Sequence, residues 1–275
     1  MTEQAITATS RIGDAFARVA AEGRIALMPF WTVGYPTLER SKRLMRAIVE
    51  AGADMIEVGI PFSDPLADGV TVQRTSQVAL EQGTTLDDAF TMIEELRAEG
   101  MTIPIVFMGY ANPFWQYGLD KLAARAAEVG IDGFIVPDLP AEESEEWVTP
   151  FRAAGRDLIF LVAPTSTDAR LARVAEQASG FIYCVSLVGV TGARDTLAAD
   201  LADYIGRVRA SIDLPLAIGF GVSTPEHVAD IAKIADGAIV ASALINYIDT
   251  LPESEEAAGA ADFVRKLRAA TVKPA

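Results

Sequence analysis

Eight short apolar runs recur along the chain with amphipathic stretches between them, and this alternation limits the possible folds more than any other feature. The runs lie near residues 25–33, 54–60, 103–109, 131–137, 158–163, 180–186, 214–219 and 237–241. Each has the length of a strand and is apolar on both faces, which is how a parallel strand covered on both sides reads. The stretches near 38–51, 86–99, 119–129, 142–154, 167–178, 197–210 and 225–235 carry Ala, Glu, Arg and Leu at helical spacing. No linker or shift of composition divides the 275 residues. A single (β/α)8 barrel of about 250 residues accommodates such a repeat. The expectation is an α/β protein, a (β/α)8 TIM barrel forming one domain over 1–275, with an N-terminal helix at about 10–21. A doubly wound parallel sheet is the alternative.

The charge balance narrows the function. With 23 Lys+Arg against 38 Asp+Glu the formal net charge is −15, and no basic stripe interrupts it, so neither nucleic acid nor an anionic membrane surface is expected as a partner. Residues 102–119 lack charge, yet Pro104, Gly109, Asn112, Pro113, Gln116 and Gly118 spoil a membrane helix there. Glu3 and the absence of an apolar run near the start argue against a signal peptide. A single cysteine, Cys184, excludes a disulfide framework and fits a reducing cytoplasm, the expected location. The single histidine, His227, follows Ser223-Thr224-Pro225-Glu226, a helix start. Triads and His-rich metal sites are therefore poorly served.

Successive strand starts lie roughly 20 to 35 residues apart, except between the second and third runs, where the gap is nearly 50. In a barrel the loops after strands form the catalytic face, so an extended segment at about 60–84, opening with Pro61 to Gly69, is a candidate site. A second irregular segment, expected to be a mobile loop, follows the sixth strand at about 186–196.

Glu57 sits inside the apolar run Met55-Ile56-Glu57-Val58-Gly59, where an ionised carboxylate is costly. By the two-residue period it shares a face with Met55 and Gly59, which in a barrel points inward near the C-terminal mouth. A desolvated carboxyl there has a raised pKa and suits proton transfer; a rim carboxylate paired with Lys or Arg is the plainer reading. Asp64 and Asp68 precede Pro65 and Gly69, so turn formation competes with a catalytic role for them. Gly219-Phe220-Gly221 and Ala241-Ser242 end the last two strands, where barrels often hold phosphate on backbone N–H groups. Gly189 and Gly192 lie in the segment after strand six, and ordinary glycine turns are the alternative.

These residues also carry a resemblance. The run Glu57-Val-Gly-Ile-Pro-Phe-Ser-Asp-Pro-Leu-Ala-Asp-Gly69, with Gly189-Val-Thr-Gly192 and Gly219-Phe-Gly-Val-Ser223, resembles the tryptophan synthase α-subunit family. Met108-Gly-Tyr-Ala-Asn-Pro113 and Pro137-Asp-Leu-Pro140 match as well, and the likeness runs from Pro29-Phe30 to Ser242. The resemblance implies a barrel that cleaves indole-3-glycerol phosphate to indole and glyceraldehyde 3-phosphate without a metal or organic cofactor of its own. It implies Glu57 as acid/base residue and Asp68 as the carboxylate facing the indole N–H. Phe30, Thr32 and Tyr183 fall at the indole pocket and its polar surroundings. Gly192, Gly221 and Ser242 match phosphate contacts, Phe220 lies between ring and phosphate, and Thr191 matches a mobile-loop residue. Two positions depart from the pattern: Ala241 stands where many relatives have Gly, and Leu187 replaces a basic residue of the loop.

The expected partner is a pyridoxal-phosphate-dependent β subunit in an αββα assembly, with pyridoxal phosphate confined to that partner. Tyr110 to Tyr117 places four aromatics on the expected catalytic face, either as a docking patch or as core. Rival readings are a phosphosugar isomerase, indole-glycerol-phosphate synthase, a flavin-dependent barrel oxidoreductase and a non-catalytic regulatory barrel. The synthase typically relies on a barrel lysine, and no strand interior here offers one.

Overall fold

The apolar runs form eight parallel strands: β1 (Ala26–Thr32), β2 (Ile56–Gly59), β3 (Ile105–Met108), β4 (Gly133–Ile135), β5 (Asp157–Val162), β6 (Ile182–Val185), β7 (Leu216–Gly219) and β8 (Gly237–Val240). Each pairs with its sequence neighbours, and β8 returns to β1 with Ala26 opposite Gly237, so the sheet closes in the order β1 to β8. The computed structural model describes residues 10–186, 194–219 and 221–274, with backbone alone over 194–199.

An outer ring follows the strands: α2 (Leu38–Glu50), α4 (Leu86–Ala98), α6 (Leu119–Val129), α7 (Glu145–Ala153), α8 (Asp168–Gln177), α9 (Arg194–Ser211), α10 (Pro225–Ile231) and α12 (Glu256–Ala269). Helix α2 packs on α4 and α12, α4 on α6, α6 on α7, α8 on α9 and α10 on α12. Thr37, Thr85, Thr167 and Thr224 start α2, α4, α8 and α10, each hydroxyl accepting the backbone N–H three residues on. Such caps satisfy donors that the first turn leaves unpaired.

Side chains divide by strand period. Met28, Met55, Val106, Ile135, Ile159, Ala217 and Ile239 form the inner cluster, while Leu27, Ile56, Val58, Phe107, Phe134, Phe160 and Ile218 pack outward against the ring. The alternation Met55 in, Ile56 out, Val58 out therefore sends Glu57 and Gly59 inward. Helix α1 (Arg11–Ala21) adds Ile12, Phe16 and Val19 to the inner cluster and closes the N-terminal end. At that end Asp54, Asp132 and Asp236, each just ahead of a strand, accept the N–H of Leu27, Ile105 and Leu216 and pair with Arg24, Arg97 and Arg209. Those charges hold strand starts in register.

Three further helices sit at the opposite end: α3 (Val70–Glu81), α5 (Ala111–Tyr117) and α11 (Ser242–Ile248). Half of the extended segment at 60–84 is thus helix, begun from extended backbone at Gly69. Two of the four aromatics of 110–117 belong to the core, which narrows the docking-patch reading to the rest of the run. Phe114 is fully buried and meets Phe134 edge-on at 5.5 Å, and Tyr110 is buried too. Gly109 leaves room for this packing, since a Cβ there would lie 2.7 Å from Phe114 Cζ. Trp115 alone of the four is exposed.

Candidate active site

The barrel mouth between the ends of β1, β2, β3, β6 and β8 and the starts of α3 and α11 holds a cavity of about 370 Å³. Phe30, Val72, Met108, Tyr183 and Ile239 give it an apolar wall; Glu57 and Asp68 bring carboxylates; Gly221, Ser223, Ala241, Ser242 and Asn246 form a polar end. Among the described residues no Lys or Arg lines it, so it offers no lysine for an imine.

Register places the catalytic candidates. Glu57 on β2 pairs with Phe30 on β1, and both side chains reach the cavity. Glu57 is 1% exposed and its Oε1 has no hydrogen-bond partner among the described residues. Burial without a counter-charge favours the neutral carboxyl and raises its pKa to about 8. This geometry decides against the rim ion pair.

Asp68 is half-buried in the segment that leads to α3. Desolvation raises its pKa to about 6, against a hydrogen bond from the Tyr110 hydroxyl that pulls it down. The same hydroxyl accepts the Ala67 N–H at 2.9 Å, and the Tyr110 ring stacks on Phe62 at 5.2 Å. One residue at the end of β3 thereby holds the loop around Asp68. Asp64 does not line the cavity; it is exposed and accepts the Ser63 hydroxyl at 2.5 Å. Near pH 7 the cavity combines a mostly protonated carboxyl on Glu57 with a mostly ionised one on Asp68. That is a proton donor and a fixed negative charge in one apolar recess.

Tyr183 is buried, and burial beside the two carboxylates drives its pKa well above the usual phenol value. It is a neutral hydroxyl. Its ring exists where it does because Gly219 on the neighbouring strand has no side chain; a Cβ there would lie 2.1 Å from the Tyr183 oxygen.

Helix α3, which follows Asp68, is tied down at several points. Thr75 donates to the Val72 carbonyl at 2.9 Å, so the 2.7 Å contact between Thr32 and Thr75 is a donation from Thr32. Thr71 donates to Asn246 Oδ1 on α11 at 3.2 Å. Arg74 hydrogen-bonds Asp249 and the Tyr35 hydroxyl, which itself donates to Asp249 at 2.6 Å.

Of the residues singled out in the sequence, Phe30, Glu57, Asp68, Tyr183, Gly221, Ala241 and Ser242 meet at this cavity. Thr32 does not line it and instead anchors α3. Thr191, Gly192 and Phe220, with Leu187 and Gly189, lie outside the described residues. Gly221 has φ of +77°, which favours glycine, whereas Ala241 at φ −123° needs none. Sequence reading named Met108 and Ser223 as motif residues without a site role, and missed Val72, Ile239, Asn246 and the role of Tyr110. The period-2 pattern carried to the ends of β3 and β8 points to Met108 and Ile239, and spacing of four from Ser242 points to Asn246. Nothing local marks Tyr110.

The family model described as tryptophan synthase alpha chain matches residues 16–272. The tryptophan synthase alpha chain of Chloroflexus aurantiacus is 50% identical over 265 residues, covering 96% of this chain and 100% of the relative. That of Roseiflexus castenholzii is 53% identical over 259 residues, 94% of this chain and 99% of the relative. Among solved structures, the tryptophan synthase subunit alpha of Legionella pneumophila superposes with a TM-score of 0.89 at 35% identity, covering 96% of this chain and 99% of its own. A Mycobacterium tuberculosis tryptophan synthase chain gives 0.87 at 38% identity, with 97% and 100% covered.

Proposed function

The chain belongs to the tryptophan synthase alpha chain family, a carbon–carbon lyase acting on indole-3-glycerol phosphate, and we propose that Glu57 and Asp68 carry the reaction in it. The observation that supports this most is the buried carboxyl of Glu57, unpaired at Oε1 and facing the same cavity as Asp68.

Cleavage requires a proton on indole C3 and the loss of one from the neighbouring side-chain hydroxyl. The Glu57 carboxyl delivers its proton to C3, which leaves positive character on the ring nitrogen. The resulting carboxylate then takes the hydroxyl proton as the C–C bond breaks, and the bond electrons return to the ring, giving indole and the aldehyde. One group gives a proton and regains one, so the cycle closes. Asp68, ionised, accepts the ring N–H and stabilises the cation that exists only in this intermediate and its flanking transition states. Phe30, Val72 and Ile239 wall the indole, and Tyr183 supplies a neutral donor close to the carboxylates. The phosphate rests at the polar end near Gly221 and Ser242; the family resemblance assigns Thr191, Gly192 and Phe220, which lie outside the described residues, to binding of the same substrate, and Thr32 acts through α3. Because the proton cycle balances on Glu57, this chain needs no metal or organic cofactor.

The family implies a β-subunit partner. We assign the pyridoxal phosphate to that partner, the assembly to αββα, and the location to the cytoplasm, consistent with a single cysteine and no helix among the described residues long and apolar enough to cross a membrane. The direct test is release of indole from indole-3-glycerol phosphate by the purified chain, with equimolar glyceraldehyde 3-phosphate. No indole, alone or with a β subunit, would refute the reading.

A further inference from the structure

The substrate's phosphate is an anion entering a cavity that already holds two carboxyl groups, and among the described residues no Lys or Arg lines it. The donors that this described lining supplies are neutral. Asn246 is the one carboxamide on the described lining. It follows Ser242 by four residues on α11, so the two project from one helix face toward the polar end. Its amide is also oriented. Thr71 donates to Oδ1 at 3.2 Å, which occupies the acceptor side and leaves the Nδ2 group with two N–H donors and no acceptor among the described residues.

We propose that Asn246 is a phosphate ligand of the substrate, donating from Nδ2, and that Thr71 is the positioning residue that fixes the amide. This rests on the cavity being the indole-3-glycerol phosphate site. A hydrogen bond to an ionised group is stronger than one between neutral groups, which lets a carboxamide contribute materially to holding phosphate. The arrangement also links the two ends of the substrate. Thr71 lies three residues after Asp68, so the bond that aims the Asn246 amide joins the helix behind Asp68 to the helix that begins at Ser242.

The test uses Asn246→Asp, Asn246→Ala and Thr71→Val in steady-state cleavage, with glycerol 3-phosphate as a competitive probe of the phosphate end and indole as a probe of the apolar end. Asn246→Asp keeps the shape and the Thr71 contact but turns a donor into an anion. It should raise KM and the glycerol 3-phosphate inhibition constant at least tenfold, with kcat within threefold and indole affinity unchanged. Asn246→Ala and Thr71→Val should move the same constants in the same direction by smaller factors. KM and inhibition constants within twofold of wild type in both Asn246 variants would overturn the assignment. So would a fall in kcat at constant KM in Asn246→Ala and Thr71→Val, which is what a purely structural tie between α3 and α11 predicts. Asn246 is exposed, so the alanine variant decides the matter if the aspartate variant does not fold. If wild-type chain binds glycerol 3-phosphate but releases no indole, the lyase reading fails, and the binding arm still decides Asn246.

Discussion

Phe30 and Gly59 compete for one volume: a Cβ on Gly59 would lie 2.3 Å from Phe30 Cζ, so the ring reaches the cavity only because β2 has no side chain there. Gly59→Ala must push the ring or the strand. Overpacking of this kind costs about 1 to 3 kcal/mol. Denaturant unfolding should show that loss, and KM for indole-3-glycerol phosphate should rise as the apolar wall deforms. Unchanged stability and KM would mean that the ring relocates freely and does not shape the site.

Asp68→Asn should cut kcat by about 100-fold or more, because an amide stabilises a developing cation far less than a carboxylate does. KM should change little by comparison. An effect confined to KM would make Asp68 a binding residue only.

The pH profile of kcat/KM should be a bell. Activity needs Asp68 ionised, so it falls as pH drops through about 6. It also needs Glu57 protonated, so it falls as pH rises through about 8. Residual activity of Asp68→Asn should lose the acidic limb that belongs to this carboxylate while retaining the alkaline one. A profile flat from pH 5 to 9 would contradict both roles.

Glu57 also links stability to pH. Its carboxyl has an ordinary value of 4.5, the reference for the unfolded chain, and titrates at about 8 when folded. Between those values the folded state holds a proton that the unfolded state has released. The stabilisation is therefore complete below about 4.5 and is lost as pH rises through about 8, with a slope approaching 1.4 kcal/mol per pH unit. Glu57→Gln lacks that slope, so its unfolding free energy should gain on wild type between pH 5 and 8. Parallel stability curves for the two proteins would show that the Glu57 carboxyl is not held neutral.

The exposed apolar side chains near the barrel mouth are the candidates for docking a β subunit. Phe114 is core, so a polar change there tests folding. Leu66 at 91% and Val70 at 82% exposure flank Asp68, and Trp115 is exposed beyond β3. A β subunit docked on this face should co-elute with the chain and raise indole release. Changing Leu66 and Trp115 to Glu should weaken both effects while leaving the isolated chain folded; undiminished co-elution would place the interface elsewhere.

What was legible in the sequence was what repeats. Runs such as Ile105–Met108, apolar on both faces, identify buried parallel strands without any knowledge of the loops. Glu57 stood out because a carboxylate breaks such a run, and the two-residue period gave its direction. The short helices α5 and α11 span too few residues for a helical period to declare itself. Thr32 illustrates a different limit: its place at the end of β1 is readable, but its bond to Thr75 depends on how α3 lies across the barrel mouth. Tyr110 is legible only as an aromatic, because its bridge to Ala67 and Asp68 joins loops that are distant in sequence.

Glu57→Gln tests the central claim most directly. The amide preserves size and neutrality but cannot cycle a proton, so the variant should fold with an unchanged far-UV circular dichroism spectrum, bind glycerol 3-phosphate as wild type does, and release indole at less than about a thousandth of the wild-type rate. Turnover within about tenfold of wild type would contradict the assignment of Glu57 as the group that carries the proton.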